Sequence, residues 1–340
     1  MPRVSVVCAS FNHEQYVRAA IDSVLTQSFG DFELLVVDDG SADGTVAAIR
    51  AVVDPRLSVA TLPRNVGACI ALNHAVLRAQ GEYVAVLNSD DLFLPGKLER
   101  QVAFLDAHPD IGAVFTPAVL IGEEGGPYAG EGHKDSVLLS AENRTRHGWL
   151  RSLFYNGNSL CHPSVLIRRS IYKEIGPYNP AMAQLPDLEF WVRLLLRHEI
   201  HVLAEPLVAF RIRANQMNAS AARPEVLARD AWEQLRVFEQ YLALSPAEFE
   251  QVFPEAAGRN RELPVGWRLG RLALELPRPA AVMFGLEAIY DALRRIRDPA
   301  RIREFIALSG AYDPFAVTAP VSPDRLLAAP VMPPPPRPVQ

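Results

Sequence analysis

The stretch VSVVCASFNHEQYVRAAIDSVLTQSFGDFELLVVDDGSADGT, residues 4–45, contains the alternation that decides the fold. Two Val-rich runs, 4–10 and 33–39, flank a segment whose apolar residues recur at helical spacing. Such short apolar runs are typical of parallel strands that are buried on both faces. A third run, YVAVLN at 83–88, continues the pattern. The sequence therefore predicts an α/β fold, a doubly wound and mostly parallel sheet flanked by helices.

The segments between these runs predict helices. Asn12 is expected to cap the first helix, whose apolar face comprises Val17, Ala20, Ile21, Val24 and Leu25. Further helices are predicted at 45–53 and 67–79, and from Pro95 to 107. A strand, a helix and a turn are predicted within 162–180, an amphipathic helix at 187–199 and one strand over 201–213.

Composition narrows the class of protein. The 340 residues are 49% hydrophobic and 21% charged, with a net charge of −5, which argues against a nucleic-acid partner. The three cysteines have neither metal-ligand nor disulfide spacing, and buried thiols in a reducing cytosol are expected. There is no signal-peptide pattern and no apolar run long enough for a membrane helix. We expect a cytoplasmic protein, with peripheral contact at the inner face of the membrane as the alternative.

The pattern changes twice along the chain. The α/β alternation is predicted to form one domain over 1–220, followed by a helical C-terminal region over 221–312. Pro recurs in the last segment, 313–340, which is expected to be a disordered, partly polyproline tail. Within the helical region, 292–305 is basic and amphipathic. Three interpretations of this segment remain open: a solvated face, a dimer surface or a membrane-surface contact.

Acidic residues follow two of the three Val-rich runs. Asp38 and Asp39 end one run, and Asn88, Ser89, Asp90 and Asp91 end another, without a neighbouring Lys or Arg. Ligands bind at the carboxyl ends of the strands in such sheets. The first run continues into CASFNHEQ, which contains no glycine, so a dinucleotide or nucleotide-triphosphatase loop is excluded. An acidic edge favours Mg²⁺ or Mn²⁺ bound to a diphosphate, and a helix cap is the alternative for Asp90 and Asp91.

Other polar residues have structural alternatives of equal or greater weight. Asp38 and Asp39 suit a turn, and Asp187 and Glu189 suit the first turn of a helix. Asp187 is also a candidate general base at the mouth of the same cleft. His162 next to Pro is expected to be structural. Four arginines could reach a phosphate or form surface ion pairs: Arg168, Arg169, Arg211 and Arg213.

The order of these segments resembles family 2 glycosyltransferases, the inverting enzymes of the GT-A fold. The stretches that carry the resemblance are the opening segment, NVGACIALNHAVLRAQGEYVAVLNSDDLFLPGKL at 65–98 and GPYNPAMAQLPDLEFWVRLLLRHE at 176–199. Together they cover most of residues 3–213. Each is loose by itself, but their order and spacing are specific.

The resemblance implies a role for individual residues. Ser10, Phe11, Asp39 and Asn65 match positions that bind the nucleoside of the donor. The segment NSDD matches the D-x-D-type motif, which implies that Asn88 and Asp90 contact the donor and that Asp90 and Asp91 bind Mn²⁺ or Mg²⁺. Asp187 matches the general base, which would deprotonate the acceptor hydroxyl in a single in-line displacement.

Three residues depart from the family pattern. Asn88 replaces the first Asp of the commonest motif, and Pro186 replaces the usual Glu before the base. Arg213 stands where many relatives carry a His that in some holds the metal. An Arg can pair directly with a diphosphate, so Arg213 is included among the donor-binding residues and the metal requirement is left open.

The leading hypothesis is an inverting glycosyltransferase that moves one sugar from a nucleotide-diphosphate sugar, with UDP expected, to a glycan or lipid-linked acceptor. Loops 122–147 and 155–163 are expected to select the sugar and the acceptor. The three departures motivate an alternative, a non-catalytic GT-A-like domain that binds glycan or protein partners. A nucleotidyltransferase ranks last, because the loop after the first strand lacks glycine. The oligomeric state is left open.

Overall fold

The computed structural model describes residues 1–128, 142–213 and 224–294, together with positions 296, 298, 300 and 303. The chain divides into two compact units, Met1–Asp230 and Ala231–Gln340. The predicted Pro-rich tail at 313–340 lies outside the described residues, as do 129–141 within the predicted selectivity loop 122–147 and much of the basic segment 292–305.

The first unit is built on a seven-stranded, mostly parallel sheet of order β3-β2-β1-β4-β8-β6-β9. Its strands are β1 (Val4–Ser10), β2 (Phe32–Asp38), β3 (Leu57–Thr61), β4 (Tyr83–Asn88), β6 (Ile111–Phe115), β8 (Leu166–Arg168) and β9 (Glu199–Val202). Only β8 runs antiparallel to its neighbours, β4 and β6. A second sheet of order β5-β10-β7 comprises β5 (Leu92–Phe93), β7 (Ala118–Ile121) and β10 (Val208–Arg211). The predicted fold class is confirmed.

Seven α-helices lie within the described part of the first unit. They are α1 (Val17–Leu25), α2 (Thr45–Arg50), α3 (Ala68–Arg78), α4 (Lys97–Ala107), α5 (Arg146–Asn156), α6 (Arg169–Ile175) and α7 (Pro186–Leu195). A 3₁₀ turn, His162–Ser164, precedes β8. The predicted face of α1 is buried at four of its five positions and packs on the sheet with β1, β2 and β4. Burial of such apolar stripes against both faces of the central strands is what holds the layers together.

Several predicted boundaries were wrong, each for a local reason. Asn12 does not cap α1: it has a positive φ of 52°, and its side chain accepts a hydrogen bond from the Ala42 N–H, while α1 begins after Tyr16. The fourth helix begins at Lys97 rather than Pro95 because Gly96 is left-handed, with φ of 80°. The single strand predicted at 201–213 is two strands, β9 and β10, separated by a segment with Pro206, which has no N–H for a ladder.

The described part of the region after the first unit is helical, as predicted. Its helices are α8 (Pro224–Gln240), α9 (Pro246–Val252), α10 (Val265–Leu274) and α11 (Pro279–Arg294), with α8 beginning before the division at Asp230. Ser245 and Glu248 form a reciprocal capping box that begins α9. Among the described residues, no helix is long and apolar enough to cross a membrane.

Candidate active site

The carboxyl ends of β1, β2 and β4 meet at one edge of the sheet. The strand register places Ser10 beside Asp38, and Ala9 beside Asn88. The loops that follow the three strands therefore lie next to one another. This is the edge at which ligands of such sheets bind.

The two acids at the end of β2, Asp38 and Asp39, are both buried and have different hydrogen-bond partners. Asp38 holds its own turn: it accepts bonds from the Ser10 hydroxyl at 3.1 Å and from the Ser41 N–H at 2.9 Å. Asp39 instead accepts the N–H groups of Val66 and Gly67, at 2.8 and 2.9 Å. Asp38 thus serves the turn, whereas Asp39 fixes the loop that precedes α3.

Two more of the residues matched to the nucleoside lie in these loops. Asn65 is exposed and begins the loop that Asp39 holds. Phe11 is exposed by 39% directly after β1, which is unusual for a large aromatic side chain. An exposed ring beside a turn of fixed shape is suited to stacking on a planar group.

The acid turn after β4, residues 88–91, is held from two sides. Asp91 is 1% exposed, and its two oxygens accept the Asn88 side-chain amide at 2.8 Å and the Arg211 N–H at 2.7 Å. Burial and the adjacent Asp90 raise the pKa of the Asp91 carboxyl well above its usual range. Asp90 is only partly buried. Asp90 is therefore the acid of the pair that can meet a ligand without first losing hydrogen bonds within the protein.

Arg211 locks this turn to β10. Its guanidinium donates to the backbone carbonyls of Asp90, Gly122 and Glu123, and it is 4% exposed. Arg168 has a comparable role at the opposite edge, where it donates to three backbone carbonyls, those of Leu105, His108 and Ile111. Both arginines brace the backbone, a role that differs from the surface ion pair that was one of the two alternatives for them.

Arg213 contacts a histidine that the sequence analysis did not single out. Its guanidinium lies 2.8 Å from His13 Nε2, and His13 Nδ1 lies 2.7 Å from the Ser89 hydroxyl. Burial lowers the pKa of His13, and the nearby Arg213 lowers it further, against the opposing effect of Asp90. The position of His13, in the loop after β1 at the ligand-binding edge, was a weak indication of a functional role. Its partners Ser89 and Arg213 could not be predicted, because they are 76 and 200 residues away in the sequence.

The first turn of α7 carries Asp187. The half-buried carboxylate accepts the Asn158 side-chain amide at 2.7 Å and the Leu188 N–H at 2.8 Å. Burial raises the pKa of Asp187, and these bonds and the nearby His162 oppose the effect. Glu189 is instead fully occupied, because it forms a buried bidentate ion pair with Arg193. The two acids of this turn therefore differ in their contacts, and of the two Asp187 is the one that remains a candidate base.

Asp187 and the acid turn belong to the same region. The buried Cys161 thiol has a raised pKa, mainly because of burial, and both Asp91 and Asp187 add to the shift. Next to it, His162 is bonded to the Tyr178 hydroxyl at 3.0 Å, and burial lowers its pKa. His162 is thus a buried residue packed against Tyr178, and Asp187 is close enough to act on its pKa. The signal in the sequence, HPSVLIRR, did not reveal this neighbour.

The described residues offer few ligands for a cation. Among them, no three His, Cys, Asp or Glu side chains converge as a metal centre. Asp90 provides an accessible carboxylate, whereas His13 Nε2 is occupied by Arg213. This set suits a hard cation that takes one or two carboxylates and completes its shell with phosphate oxygens and water.

The fold is that of the GT-A class. The family model described as Glycosyl transferase family 2 matches residues 5–176, about half of the chain. The chain belongs to this family, and its predicted enzymatic class is confirmed. Asp187 lies beyond the matched segment.

Two similar proteins of Bacillus subtilis are named as glycosyltransferases. TuaG of Bacillus subtilis, named for teichuronic acid biosynthesis, is 32% identical over 222 residues, which cover 64% of this chain and 82% of TuaG. EpsE of the same bacterium is 28% identical over 226 residues, covering 63% of this chain and 77% of EpsE.

Solved structures share the fold. TarS of S. aureus, residues 1–349 with UDP-GlcNAc, superposes with a TM-score of 0.62 at 20% identity, over 88% of this chain and 92% of that one. The mannosyltransferase PcManGT of Pyrobaculum calidifontis, with GDP-Man and Mn²⁺, gives a TM-score of 0.52 at 19% identity, over 96% and 85%.

Proposed function

We propose that this chain is an inverting glycosyltransferase that moves one sugar from a nucleoside-diphosphate sugar to a hydroxyl of a glycan or lipid-linked acceptor. The observation that carries the proposal is an accessible acid, Asp90, in the turn after β4 together with a carboxylate of raised pKa, Asp187, since Asp187 and Asp90's neighbour Asp91 both act on the Cys161 thiol. UDP is the expected nucleotide, supported by the likeness to TarS, whose structure holds UDP-GlcNAc. PcManGT, with GDP-Man, makes GDP the second nucleotide to test.

The donor is assigned to the strand ends. Phe11 stacks on the base, and Ser10, Asp39 and Asn65 complete the nucleoside site. Asp39 contributes chiefly by fixing the conformation of the loop that lines the site, because its oxygens already accept hydrogen bonds from the N–H groups at 66–67. Asn88 and Asp90 contact the ribose and the diphosphate, and Arg213 adds a positive charge. Arg is suited to this task because its planar fork matches phosphate oxygens.

Mn²⁺ or Mg²⁺ is the proposed cofactor, with Asp90 as its principal protein ligand. Asp91 supports the turn and contributes a further oxygen only through its remaining lone pairs, since both oxygens already accept hydrogen bonds. When bound, the cation would neutralise the diphosphate and stabilise it as a leaving group. The Mn²⁺ in the structure of PcManGT supports a divalent cation here.

Asp187 is the proposed general base. Its carboxylate takes the proton of the acceptor hydroxyl as that oxygen bonds to the anomeric carbon of the donor. The bond from this carbon to the diphosphate breaks at the opposite face, and its electron pair leaves with the diphosphate. A single displacement inverts the anomeric configuration and needs no nucleophile from the protein. A raised pKa favours proton uptake by a carboxylate at neutral pH.

The first test is the thermal stability of the chain with UDP, GDP, CMP and dTDP, each with Mn²⁺, Mg²⁺ or a chelator. A ligand at about 100 times its dissociation constant adds about 2.7 kcal/mol of stability. We expect a shift with UDP that depends on the cation. Asp90→Ala should abolish the dependence on the cation, whereas Asp110→Ala, a change of an exposed acid in the same unit, should preserve it.

The outcomes separate the hypotheses. A shift that survives chelation would assign the role of the cation to Arg213. A folded protein that binds none of the four nucleotides would contradict the proposed donor site and favour the non-catalytic alternative.

A further inference from the structure

His13 joins three segments that are distant in the sequence. It lies in the loop after β1, bonds to Ser89 in the acid turn after β4, and bonds to Arg213, two residues after β10. Its ring also packs edge-on against Tyr16, with centroids 5.7 Å apart. The roles implied by the family resemblance do not include His13.

The partners of His13 decide which of its nitrogens carries the proton. A guanidinium can only donate hydrogen bonds, so Arg213 donates and His13 Nε2 accepts at 2.8 Å. A neutral imidazole that accepts at Nε2 carries its proton on Nδ1. His13 Nδ1 therefore donates to the Ser89 hydroxyl oxygen at 2.7 Å.

This chain of hydrogen bonds, from Arg213 through His13 to Ser89, determines which way the Ser89 O–H can donate. With its oxygen engaged as an acceptor, the hydroxyl presents its own hydrogen as a donor. Ser89 is 3% exposed and lies between the two residues assigned to the donor, Asn88 and Asp90. A buried hydroxyl with a fixed donor direction in this turn is suited to an anionic oxygen.

Arg213 is oriented by the same device. Its guanidinium lies over the Tyr16 ring, 5.3 Å from the centroid, and the bond to His13 fixes its rotation about that contact. A cation and a hydroxyl donor are thus coupled through one imidazole, at the edge where the diphosphate is placed.

We infer that His13 is a positioning residue for the diphosphate of the donor, acting through Ser89 and Arg213. The inference rests on the proposed function, since it presumes a nucleoside-diphosphate donor. It assigns recognition of the diphosphate, but not of the nucleoside, to His13. Loss of the imidazole therefore weakens binding of a nucleoside diphosphate and leaves binding of the nucleoside alone unchanged.

The test measures binding of UDP and of uridine by calorimetry in wild-type protein and in three variants. His13→Phe removes both bonds. His13→Asn retains a side-chain N–H near the Nδ1 position, and His13→Gln retains an acceptor near the Nε2 position. We expect the dissociation constant of UDP to rise about tenfold or more in His13→Phe and less in the other two, with that of uridine within about twofold of wild type.

Coupling to Ser89 is tested by a double-mutant cycle. Ser89→Ala alone should weaken UDP binding, and adding His13→Gln to it should have less effect than in the wild-type background. The two smaller substitutions, His13→Asn and His13→Gln, keep the test valid if His13→Phe fails to fold.

Two results would overturn the inference. Equal losses of UDP and uridine binding would make His13 a general structural residue, and unchanged UDP binding in all variants would remove it from the site. Failure of the wild type to bind UDP or GDP would be a different result, because it contradicts the proposed function itself.

Discussion

At the scale of single residues, Asp187 shows how the proposed general base is prepared. Its two hydrogen bonds come from its own helix turn and from Asn158, in the loop after α5. Burial raises its pKa, and the Asn158 amide partly offsets this by stabilising the ionised form. The carboxylate is thereby oriented and its base strength is set by two separable contacts.

Replacing Asp187 should therefore abolish turnover without abolishing donor binding. We expect Asp187→Asn to lower the release of UDP from a UDP-sugar by about 10²–10⁴-fold, the usual contribution of a general base. The thermal shift with UDP should persist. A variant that retained full turnover would exclude Asp187 as the base.

The pH profile gives the corresponding prediction for Asn158. Because Asp187 acts when deprotonated and its pKa is raised, the acid limb of the rate should lie above 3.8, the ordinary value for Asp. The Asn158 bond lowers this pKa, so Asn158→Ala should move the acid limb to higher pH and change the plateau rate less. An unmoved limb would mean that the amide does not act on the titrating group.

Sequence reasoning placed acids at the ends of β2 and β4, because a change from apolar to acidic residues is visible locally. It could not show that Asp91 has both oxygens occupied, since the Arg211 N–H comes from 120 residues away. The neighbours of His13 and the contact between Asn158 and Asp187 were missed for the same reason. Roles that depend on tertiary partners leave no local pattern.

At the scale of elements, α10 and α11 approach closely through two glycines. A Cβ on Gly270 would lie 2.8 Å from the carbonyl oxygen of Gly285. A Cβ on Gly285 would lie 2.8 Å from the carbonyl oxygen of Gly270. Both contacts are with backbone, which cannot rotate away. The helices therefore need glycine at these positions.

Gly270→Ala should destabilise the helical region by about 1–3 kcal/mol, the usual range for overpacking a well-packed interface. Chemical denaturation monitored by circular dichroism measures the change. Gly266→Ala on the same helix is the control, because its Cβ would meet Leu242 Cδ2 at 3.4 Å, an ordinary contact. That variant should be neutral or up to about 1 kcal/mol more stable, as alanine favours helix. Equal effects of the two substitutions would refute close packing at Gly270.

Element boundaries were hard to predict where they depend on contacts with distant residues. The apolar face of α1 follows from the spacing of its residues. The segment before its start is held by contacts between Asn12 and the turn at 41–42, which the local sequence does not show. The strand β5, two residues long, carries no period that a sequence can reveal, and its existence follows from pairing with β10. The strand predicted within 162–180 is β8, but its antiparallel pairing with β4 and β6 depends on strands that are distant in the sequence.

At the scale of the whole molecule, a fully buried lysine links stability to pH. Lys97 is 0% exposed and hydrogen-bonds Gln101, while its ammonium lies 4.1 Å from the centroid of the Phe93 ring. Burial lowers its pKa to about 7, far below the ordinary lysine value of 10.5. Between these values the unfolded chain binds the proton more readily than the folded protein does.

Stability should therefore rise with pH through this window, by up to about 1.4 kcal/mol per pH unit from Lys97 alone. Lys97→Met should remove this contribution, so that the wild type gains stability relative to the variant from pH 7 to 10. Urea denaturation at several pH values measures the difference. Lys173→Met, at an exposed position, should leave the slope unchanged. A constant difference between wild type and Lys97→Met would show that Lys97 titrates normally.

The antiparallel strand β8 has a consequence for synthesis. It separates β4 from β6 in the sheet, although both of those strands precede it in the chain. Roughly 80 residues separate the end of β4 from the start of β8, which takes about 4–16 s to translate. During that interval β4 has an unpaired edge, and an unpaired edge is a template for wrong pairing. We therefore expect premature pairing of β4 with β6 to compete with the native order while the chain is synthesised, so that a chaperone that shields this edge would favour the correct product.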